Sequence, residues 1–319
     1  MNQNGMAIAI LCSRLCMGEG VKPLEPREWS ALANAMRAQK LQPADLLEFS
    51  GQDFAEKFQY SQAETDRIQR LIGRSASLGF ELDRYASRGI VLVTRADEGY
   101  PAQLKHKLGN ACPPLFYAAG ALELLEQKSV GYVGSRTVSE EDIDFVRQTV
   151  AKTVGWDYLV VSGGAKGADS VAMEEALVQG GGCIAYLSDS MDRRLKQART
   201  VMAIQEGRLL LLSAVLPSAG FNAGMAMSRN KYIYTQSSGT VVVRSDYNKG
   251  GTWSGATENL RNGWCPVFCW DRADYPGNQA LIQKGARPIG RDWPGKVEEP
   301  DAIPPRPESS EGTQLSMFD

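Results

Sequence analysis

Short apolar runs alternate with amphipathic stretches through the middle of the chain. The apolar runs predict strands near residues 130–134, 158–162, 182–188, 208–213, 239–244 and 265–270. The stretches between them predict helices near residues 139–154, 169–180, 191–206 and 252–263. Repeated strand–helix–strand units predict a doubly wound α/β fold, in which a mostly parallel sheet carries helices on both faces.

The two ends of the chain have different patterns. Residues 1–80 have mostly helical spacing, and residues 89–94 and 115–120 predict two strands that lead into the sheet. After Trp293 apolar residues become sparse and Glu, Pro and Ser predominate. We therefore predict a helical N-terminal domain at residues 1–80, an α/β domain at 81–294 and a disordered tail at 295–319.

Three arginines stand on one side of a predicted N-terminal helix. Ser61 and Glu64 form a capping box that opens this helix, and the pattern continues to about Arg74. Arg67, Arg70 and Arg74 follow one another at spacings of three and four. This spacing predicts a solvated helix face, and the alternative is a surface that contacts a nucleic-acid backbone.

The composition of the chain limits its class. Of 319 residues, 43% are hydrophobic and 23% charged, and the formal net charge of −2 excludes a wholly basic nucleic-acid binder but not a local basic patch. No apolar run reaches the roughly 18 residues that a membrane helix needs, and the start lacks an export signal, so we expect a cytoplasmic protein with no membrane partner. We expect the six cysteines to be reduced thiols in the core. Because His106 is the single histidine, a zinc site would lack ligands, and we expect neither a metal nor a cofactor.

Three glycine-rich loops each follow a predicted strand and lead into a predicted helix. They offer, in order, Gly134, Ser135 and Arg136; then Ser162, Gly163, Gly164 and Lys166; then Gly250, Gly251 and Thr252. Backbone N–H groups and helix N-termini at such loops bind anions, and Asp169 is expected to cap the helix after the second loop. Because the carboxyl ends of parallel strands share one edge, the loops predict a phosphate-lined crevice.

Two basic segments lie between the second and third loops. Arg229, Asn230 and Lys231 precede an apolar run and suit contacts to phosphates and base edges, with an ordinary polar loop as the alternative. The predicted helix at 191–206 carries a second cluster, which either extends the positive track or is a solvated face. That cluster comprises Arg193, Arg194, Lys196 and Arg199.

In their order and spacing these motifs resemble the DprA/Smf family of DNA-processing proteins. The resemblance rests on the Gly-Ser-Arg loop at 134–136, the Ser-Gly-Gly loop at 162–164, the Ser-Arg-Asn-Lys segment at 228–231 and the third loop, and it covers about residues 85–290. It implies an extended Rossmann-like domain that binds single-stranded DNA in the crevice, forms a homodimer and helps to load the RecA recombinase in natural transformation. The loops and residues 229–231 would hold the strand.

Three features depart from the family pattern. The histidine that usually follows the glycine–aspartate loop is absent, and residues 191–195 replace an expected Tyr-Pro segment. The winged helix found at the C-terminus of many members is replaced by the polar tail. These departures indicate a divergent branch of the family.

The last residues of the chain are abruptly hydrophobic. Gln314, Leu315, Met317 and Phe318 resemble the pentapeptide with which bacterial polymerases and repair proteins bind the β sliding clamp. The apolar side chains would fill a pocket on the clamp, and tethering would raise the effective concentration at DNA. The alternative is a chance hydrophobic terminus.

Two other functions are compatible with the sequence. The third loop is similar to that of the LOG nucleotide phosphoribohydrolases, with Glu258 as the catalytic carboxylate, although the glutamate comes one position late. The crevice could instead bind a nucleotide signal, for instance in phage defence. The leading prediction is a DNA-binding protein, not an enzyme, that acts in recombination, transformation or repair.

Overall fold

A nine-stranded sheet forms the centre of the molecule in the computed structural model, which describes residues 1–18 and 20–297. The strands are β1 (Val91–Thr94), β2 (Leu115–Gly120), β3 (Ser129–Val133), β4 (Leu159–Ser162), β5 (Cys183–Leu187), β6 (Leu209–Ser213), β7 (Gly239–Val242), β8 (Val267–Trp270) and β9 (Arg287–Ile289). Their order across the sheet is β1-β2-β6-β5-β4-β3-β7-β8-β9.

Thirteen α-helices accompany the sheet in the described residues. Five precede the first strand: α1 (Gln3–Cys12), α2 (Pro26–Ala38), α3 (Gly51–Phe58), α4 (Gln62–Ile72) and α5 (Ser75–Ala86). The others are α6 (Ala102–Leu108), α7 (Glu140–Gly155), α8 (Ala168–Val178), α9 (Met191–Arg194), α10 (Ala198–Gln205), α11 (Ala223–Gln236), α12 (Gly250–Asn262) and α13 (Pro276–Gln283). None of these helices is long and apolar enough to cross a membrane.

The strand order has one reversal that positions the functional site. The chain runs from β3 through β4 and β5 to β6 in one direction and then returns to place β7 on the other side of β3. All neighbouring strands are parallel except at β2, which is antiparallel to both β1 and β6. The predicted doubly wound, mostly parallel α/β fold is therefore confirmed. A crevice opens where the order reverses, at the carboxyl ends of β3 and β7.

Two segments differ from their predicted structure. Residues 191–206 form two helices rather than one, because Gln197 takes an extended backbone and becomes the N-cap of α10. Residues 227–233, which were expected to precede an apolar strand and to contact phosphates and base edges, with a polar loop as the alternative, lie inside α11. The buried positions of α11 include Ala226, Arg229, Tyr232 and Ile233, so an arginine interrupts the apolar stripe that would have revealed the helix.

The predicted solvated face of three arginines is wrong for Arg74. Its buried guanidinium donates hydrogen bonds to the backbone carbonyls of Ile10, Ser13 and Leu15, at the C-terminal end of α1. The Ile10 carbonyl belongs to the last turn of α1, where carbonyls lack helical partners and carry the partial negative charge of the helix, so a cation there stabilises the helix end. The Ser13 and Leu15 carbonyls follow the helix and receive their donors from the same guanidinium. Arg67 forms an ion pair with Glu28, which leaves Arg70 as the exposed member of the three.

Replacing Arg74 should destabilise the fold strongly. Arg74→Met leaves several buried carbonyls without donors, and we expect the free energy of unfolding to fall by about 3 kcal/mol. Arg70→Met, on the exposed side of the same segment, should change it by less than about 0.5 kcal/mol. Urea unfolding followed by circular dichroism measures both, and equal losses in the two variants would contradict the assigned role of Arg74.

Candidate functional site

The crevice at the reversal point has a volume of about 500 Å³. The loop after β3, the start of α8, the first two turns of α11 and the loop between β7 and α12 line it. Eight of the residues predicted to hold an anion line the crevice, namely Gly134, Ser135, Arg136, Arg229, Asn230, Gly250, Gly251 and Thr252. The structure therefore brings the first and third loops together with α11.

Five other predicted residues do not line the crevice. They are Ser162, Gly163, Gly164, Lys166 and Lys231. The Ser162 hydroxyl is fully buried and donates to the backbone oxygen of Tyr132, 2.7 Å away. Lys231 follows Arg229 by about 200° around α11, and its ammonium lies 5.6 Å from the centre of the Tyr232 ring. A role of these five in binding stays a prediction.

Apart from Ala165, which lines the crevice, the second glycine loop supports the crevice from behind. One carboxylate oxygen of Asp169 accepts hydrogen bonds from the backbone N–H groups of Gly163, at 3.2 Å, and Ala165, at 3.3 Å. The sequence predicted that these amides face an anion and that Asp169 caps α8. In the structure the N-cap of α8 is Gly167, and the Asp169 carboxylate binds the loop amides. The guanidinium of Arg194 donates to the Gly164 carbonyl, so this cation also braces the loop.

Arg229 is the buried cation of the site. Its side chain is 7% exposed, and Nη1 lies 2.9 Å from the Tyr186 carbonyl oxygen and 3.9 Å from the Asp169 carboxylate. Burial lowers the pKa of Arg229 and raises the pKa of Asp169, but a guanidinium stays protonated in proteins. Within the described part of the chain, its Nε has no hydrogen-bond partner, which leaves a donor beside the crevice.

Glycine is required where Arg229 crosses the second loop. A Cβ atom on Gly163 would lie 1.2 Å from Nη1 of Arg229, so any side chain there would displace the guanidinium. Gly167 has a φ of +85°, and its Cβ would lie 2.3 Å from the Ser135 carbonyl oxygen. Close packing therefore explains why positions 163 and 167 of the second loop are glycine.

Hydrogen bonds join the walls of the crevice to one another. The Thr252 hydroxyl donates to the Gly134 carbonyl at 3.1 Å, and the Asn230 amide donates to the Gly251 carbonyl at 3.0 Å. The backbone N–H of Ala168 donates to the Ser135 carbonyl at 3.2 Å. The loops and α11 are thus held at fixed separations before any ligand binds, which reduces the ordering cost of binding.

The lining residues that were missed in the sequence include three charged side chains, Arg244, Asp246 and Lys249, and the aromatic side chain of Phe221. Arg244 lies close behind β7, so the rule that ligands bind at the carboxyl ends of strands could have identified it. Phe221 gave no such signal, since it is a single aromatic residue in the loop between β6 and α11, with no charged residue in that loop. The Arg136 guanidinium carbon lies 4.8 Å from the centre of the Phe221 ring, and 56% of Phe221 is exposed.

The crevice carries an excess of positive charge. Four cations line it (Arg136, Arg229, Arg244 and Lys249), against the carboxylates of Asp169 and Asp246. The N-termini of α11 and α12 also lie at the crevice and add their partial positive charge. No group of His, Cys, Asp and Glu side chains in the described residues is placed to hold a metal ion. The arrangement is suited to a phosphate-bearing ligand with a planar group against Phe221.

A methyl group on the second loop should weaken the fold. In Gly163→Ala the added Cβ displaces the buried Arg229, and we expect the free energy of unfolding to fall by about 1–3 kcal/mol. Gly79→Ala provides the control, because this glycine lies within α5 with open space around it and alanine should stabilise the helix by about 0.5–1 kcal/mol. Unchanged stability of Gly163→Ala in urea titrations would refute the packing role.

Comparisons with known proteins agree with the fold. DNA processing protein A from Streptococcus pneumoniae superposes with a TM-score of 0.63 and 22% identity, over 83% of this chain and 95% of that chain. A structure of DNA processing protein A from Helicobacter pylori, which describes the single-stranded DNA binding mode of that protein, superposes with a TM-score of 0.51 and 23% identity, over 63% of this chain and 90% of that chain. No curated protein matches the chain. The family model of DNA recombination-mediator protein A matches residues 91–293, more than half of the chain, and the chain therefore belongs to that family.

Proposed function

We propose that this protein binds single-stranded DNA in the crevice between β3 and β7 and acts as a recombination mediator. The observation that carries the proposal is the convergence of four cations, two helix N-termini and one exposed aromatic ring on a single open crevice. Phosphates bind the charges, and an unpaired base can stack on the ring. The single-stranded DNA binding described for the Helicobacter pylori relative supports the same ligand.

The polar groups of the crevice favour binding that tolerates any sequence. The amide of Asn230, which suits base-edge contacts, already donates to the Gly251 carbonyl. Ser135 accepts a hydrogen bond from the Thr137 backbone at 3.1 Å, and Thr252 donates to Gly134. With these side chains engaged inside the protein, charge and stacking dominate, and neither distinguishes strongly between bases.

The two alternative functions have unequal support. A nucleotide signal fits the volume of about 500 Å³, which lies in the usual range for small-ligand pockets. The phosphoribohydrolase reading is weaker, because Glu258, its catalytic carboxylate, is not among the residues that line the crevice. Competition separates the candidates: mononucleotides should displace a bound oligonucleotide only at much higher concentration if DNA is the ligand.

The biological role that we propose is to deliver bound strands to the RecA recombinase, in transformation or in repair, as a homodimer. Family membership supports mediation, and an open crevice would allow a strand to be transferred without threading. RecA filament formation on a single strand coated with single-strand-binding protein, with and without this protein, tests the role. Acceleration by the wild-type chain but not by Arg136→Ala is the expected result.

Removing Arg136 should weaken DNA binding. Because Arg136→Ala deletes one phosphate contact and the cation beside Phe221, we expect about tenfold lower affinity for an oligothymidylate. The slope of log affinity against log salt should also become shallower by about 0.7. Fluorescence anisotropy at several salt concentrations measures both. The control is Arg261→Ala in the last turn of α12, at the opposite edge of the sheet, and an equal loss in this control would remove the crevice as the site.

The C-terminal peptide gives a separate proposal, that the protein is tethered to the β sliding clamp. Gln314, Leu315, Met317 and Phe318 lie outside the described residues, so the proposal rests on the sequence. Leu315→Ala/Phe318→Ala should reduce binding of the full chain to purified clamp at least about tenfold from an affinity in the micromolar range. Ser316→Ala is the matched control in the same peptide. Clamp binding that is equal in all three proteins, measured by surface plasmon resonance, would contradict it.

A further inference from the structure

An exposed tyrosine, Tyr247, stands beside the crevice in the loop between β7 and α12. Asp246 precedes it directly and Lys249 follows two residues later, and both of these residues line the crevice. The tyrosine itself is 61% exposed. The phosphate and stacking contacts proposed above leave this ring unused.

The ring of Tyr247 is supported on one side only. It packs edge-to-face against Trp253, with the ring centres 5.2 Å apart and the planes at 69° to each other. Trp253 lies in α12 and is buried in the core, so it gives the tyrosine a fixed support. An edge-to-face contact occupies only part of an aromatic ring, and the exposure of Tyr247 places the rest of it in solvent. A second planar group can therefore pack on this ring.

The loop that carries Tyr247 is anchored where it leaves β7. The backbone N–H of Ser245 donates to the side-chain oxygen of Asn278 at 2.9 Å, and both residues are buried. A Cβ atom on Gly277 would lie 2.0 Å from the Ser245 carbonyl oxygen, so α13 packs closely against the start of the loop. A ring held between this anchor and Trp253 loses little freedom when a ligand stacks on it.

Phe221 and Tyr247 occupy similar positions on the two sides of the crevice. Phe221 directly precedes Asn222, the N-cap of α11, and Tyr247 lies two residues before Lys249, the N-cap of α12. The N-terminus of a helix attracts anions through its backbone N–H groups and its partial positive charge. Each side of the crevice therefore offers a place for a phosphate with an aromatic ring beside it, which matches the phosphate and the base of one nucleotide.

A short strand covers the distance between these two places. The helices α11 and α12 pack against each other, and the Asn230 amide in α11 donates to the Gly251 carbonyl in the first turn of α12. The axes of packed helices lie about 8–10 Å apart. At about 3.4 Å per phosphate, the spacing of a stacked strand, about three nucleotides span that separation. A mononucleotide reaches only one of the two rings.

Exposed apolar side chains are concentrated at this site. Among the residues that the structure describes, ten large hydrophobic side chains are exposed, and four of them lie on the two segments that border the crevice: Phe221, Met225, Met227 and Tyr247. Grouped apolar side chains on a surface mark a binding site, whereas single ones do not. Beside an excess of positive charge, the fitting ligand combines phosphates with unpaired bases.

We propose that Tyr247 is a second stacking platform for a base, so that the crevice holds one base on Phe221 and another on Tyr247. This inference rests on the proposed binding of single-stranded DNA at the crevice. The strand then crosses from the α11 side to the α12 side, with its phosphates at the two helix N-termini. The shortest ligand that uses the whole site is about four nucleotides long.

The test compares two ligands and three variants that all keep the net charge. One ligand is an oligothymidylate of about eight nucleotides, and the other is an abasic oligonucleotide of the same length, which has the sugar–phosphate backbone without bases. The variants are Tyr247→Ala, Tyr247→Phe and the control Phe80→Ala. Phe80 is a 79% exposed aromatic residue in α5, which packs on β1 at the far edge of the sheet.

Tyr247→Ala should lose affinity for the oligothymidylate only. We expect about tenfold weaker binding, because the stack of one base is lost, and unchanged binding of the abasic oligonucleotide. The salt slope should stay at the wild-type value, since no phosphate contact is removed. Tyr247→Phe keeps the ring and should bind like the wild type, as should Phe80→Ala. Thermal unfolding checks that each variant is folded.

Photocrosslinking shows which side chains the bases contact. An oligothymidylate of about six nucleotides, in which 5-iododeoxyuridine replaces thymidine, forms bonds to aromatic side chains on irradiation and is short enough to stay at one site. Mass spectrometry of the digested wild-type protein should identify two cross-linked peptides, one with Phe221 and one with Tyr247. Cross-links at Phe221 alone would exclude the second platform.

The outcomes separate this inference from the function on which it rests. If the wild type binds the oligothymidylate and Arg136→Ala weakens that binding, but Tyr247→Ala binds as tightly as Phe80→Ala, the second platform is excluded and DNA binding at the crevice stands. If the wild type binds neither ligand at low salt, both proposals fall. An equal loss for both ligands in Tyr247→Ala also overturns the inference, because the ring would then shape the loop and not stack on a base.

Discussion

The site depends on one buried cation, Arg229, and on the loop that surrounds it. Removing a guanidinium from water is unfavourable by several kcal/mol, and the Asp169 carboxylate and Tyr186 carbonyl offset part of that penalty. The rest of the local structure follows from this burial. Gly163 can only be glycine, because the guanidinium occupies the space of its side chain, and Asp169 holds the loop by accepting from two of its amides. A charge fixed in this way loses little conformational freedom when a phosphate binds.

The topology determines which parts of the chain can cooperate with that cation. The reversal between β3 and β7 leaves an opening where no crossing helix covers the strand ends. Because β2 is antiparallel to both β1 and β6, β1 runs in the same direction as the parallel strands, and its carboxyl end lies at the same edge of the sheet as theirs. Of the N-terminal helices, α1 and α5 pack on β1, and α1 also packs on β2. A separate domain at residues 1–80 stays a prediction.

The sequence predicts the framework of the fold better than the details of the site. The central strands are apolar throughout, which is the pattern of parallel strands buried on both faces, and their loops are marked by glycines. The helix α11 was not predicted, because Arg229 occupies one of its buried positions and a charged residue there resembles a loop. Arg74 was assigned to solvent for a similar reason: its partners are carbonyl groups of α1, more than fifty residues away in the sequence.

The same limit applies to the choice among neighbouring cations. Arg229 and Lys231 are equivalent in a sequence, but they project about 200° apart around one helix, so only one of them lines the crevice. The glycines of the second loop are another example, since their pattern is that of an anion-binding loop although two of its amides bind Asp169. In both cases the deciding information is a contact between distant segments.

Rigid and adaptable groups divide the work of binding at the crevice. Arg229 and the hydrogen-bonded loops form a fixed anion-binding subsite, whereas Arg136 and Phe221 are exposed and, in the proposed complex, can follow the position of a base. A fixed phosphate contact sets the direction of the strand without reading its sequence, and an exposed ring accepts any base because every base has a flat face. The proposed binding of strands of any sequence would need both properties. On that proposal, the hydrogen-bonded side chains of Asn230 and Thr252 are no loss to binding, and the net positive charge of the crevice, opposite in sign to that of the whole chain, supplies the attraction.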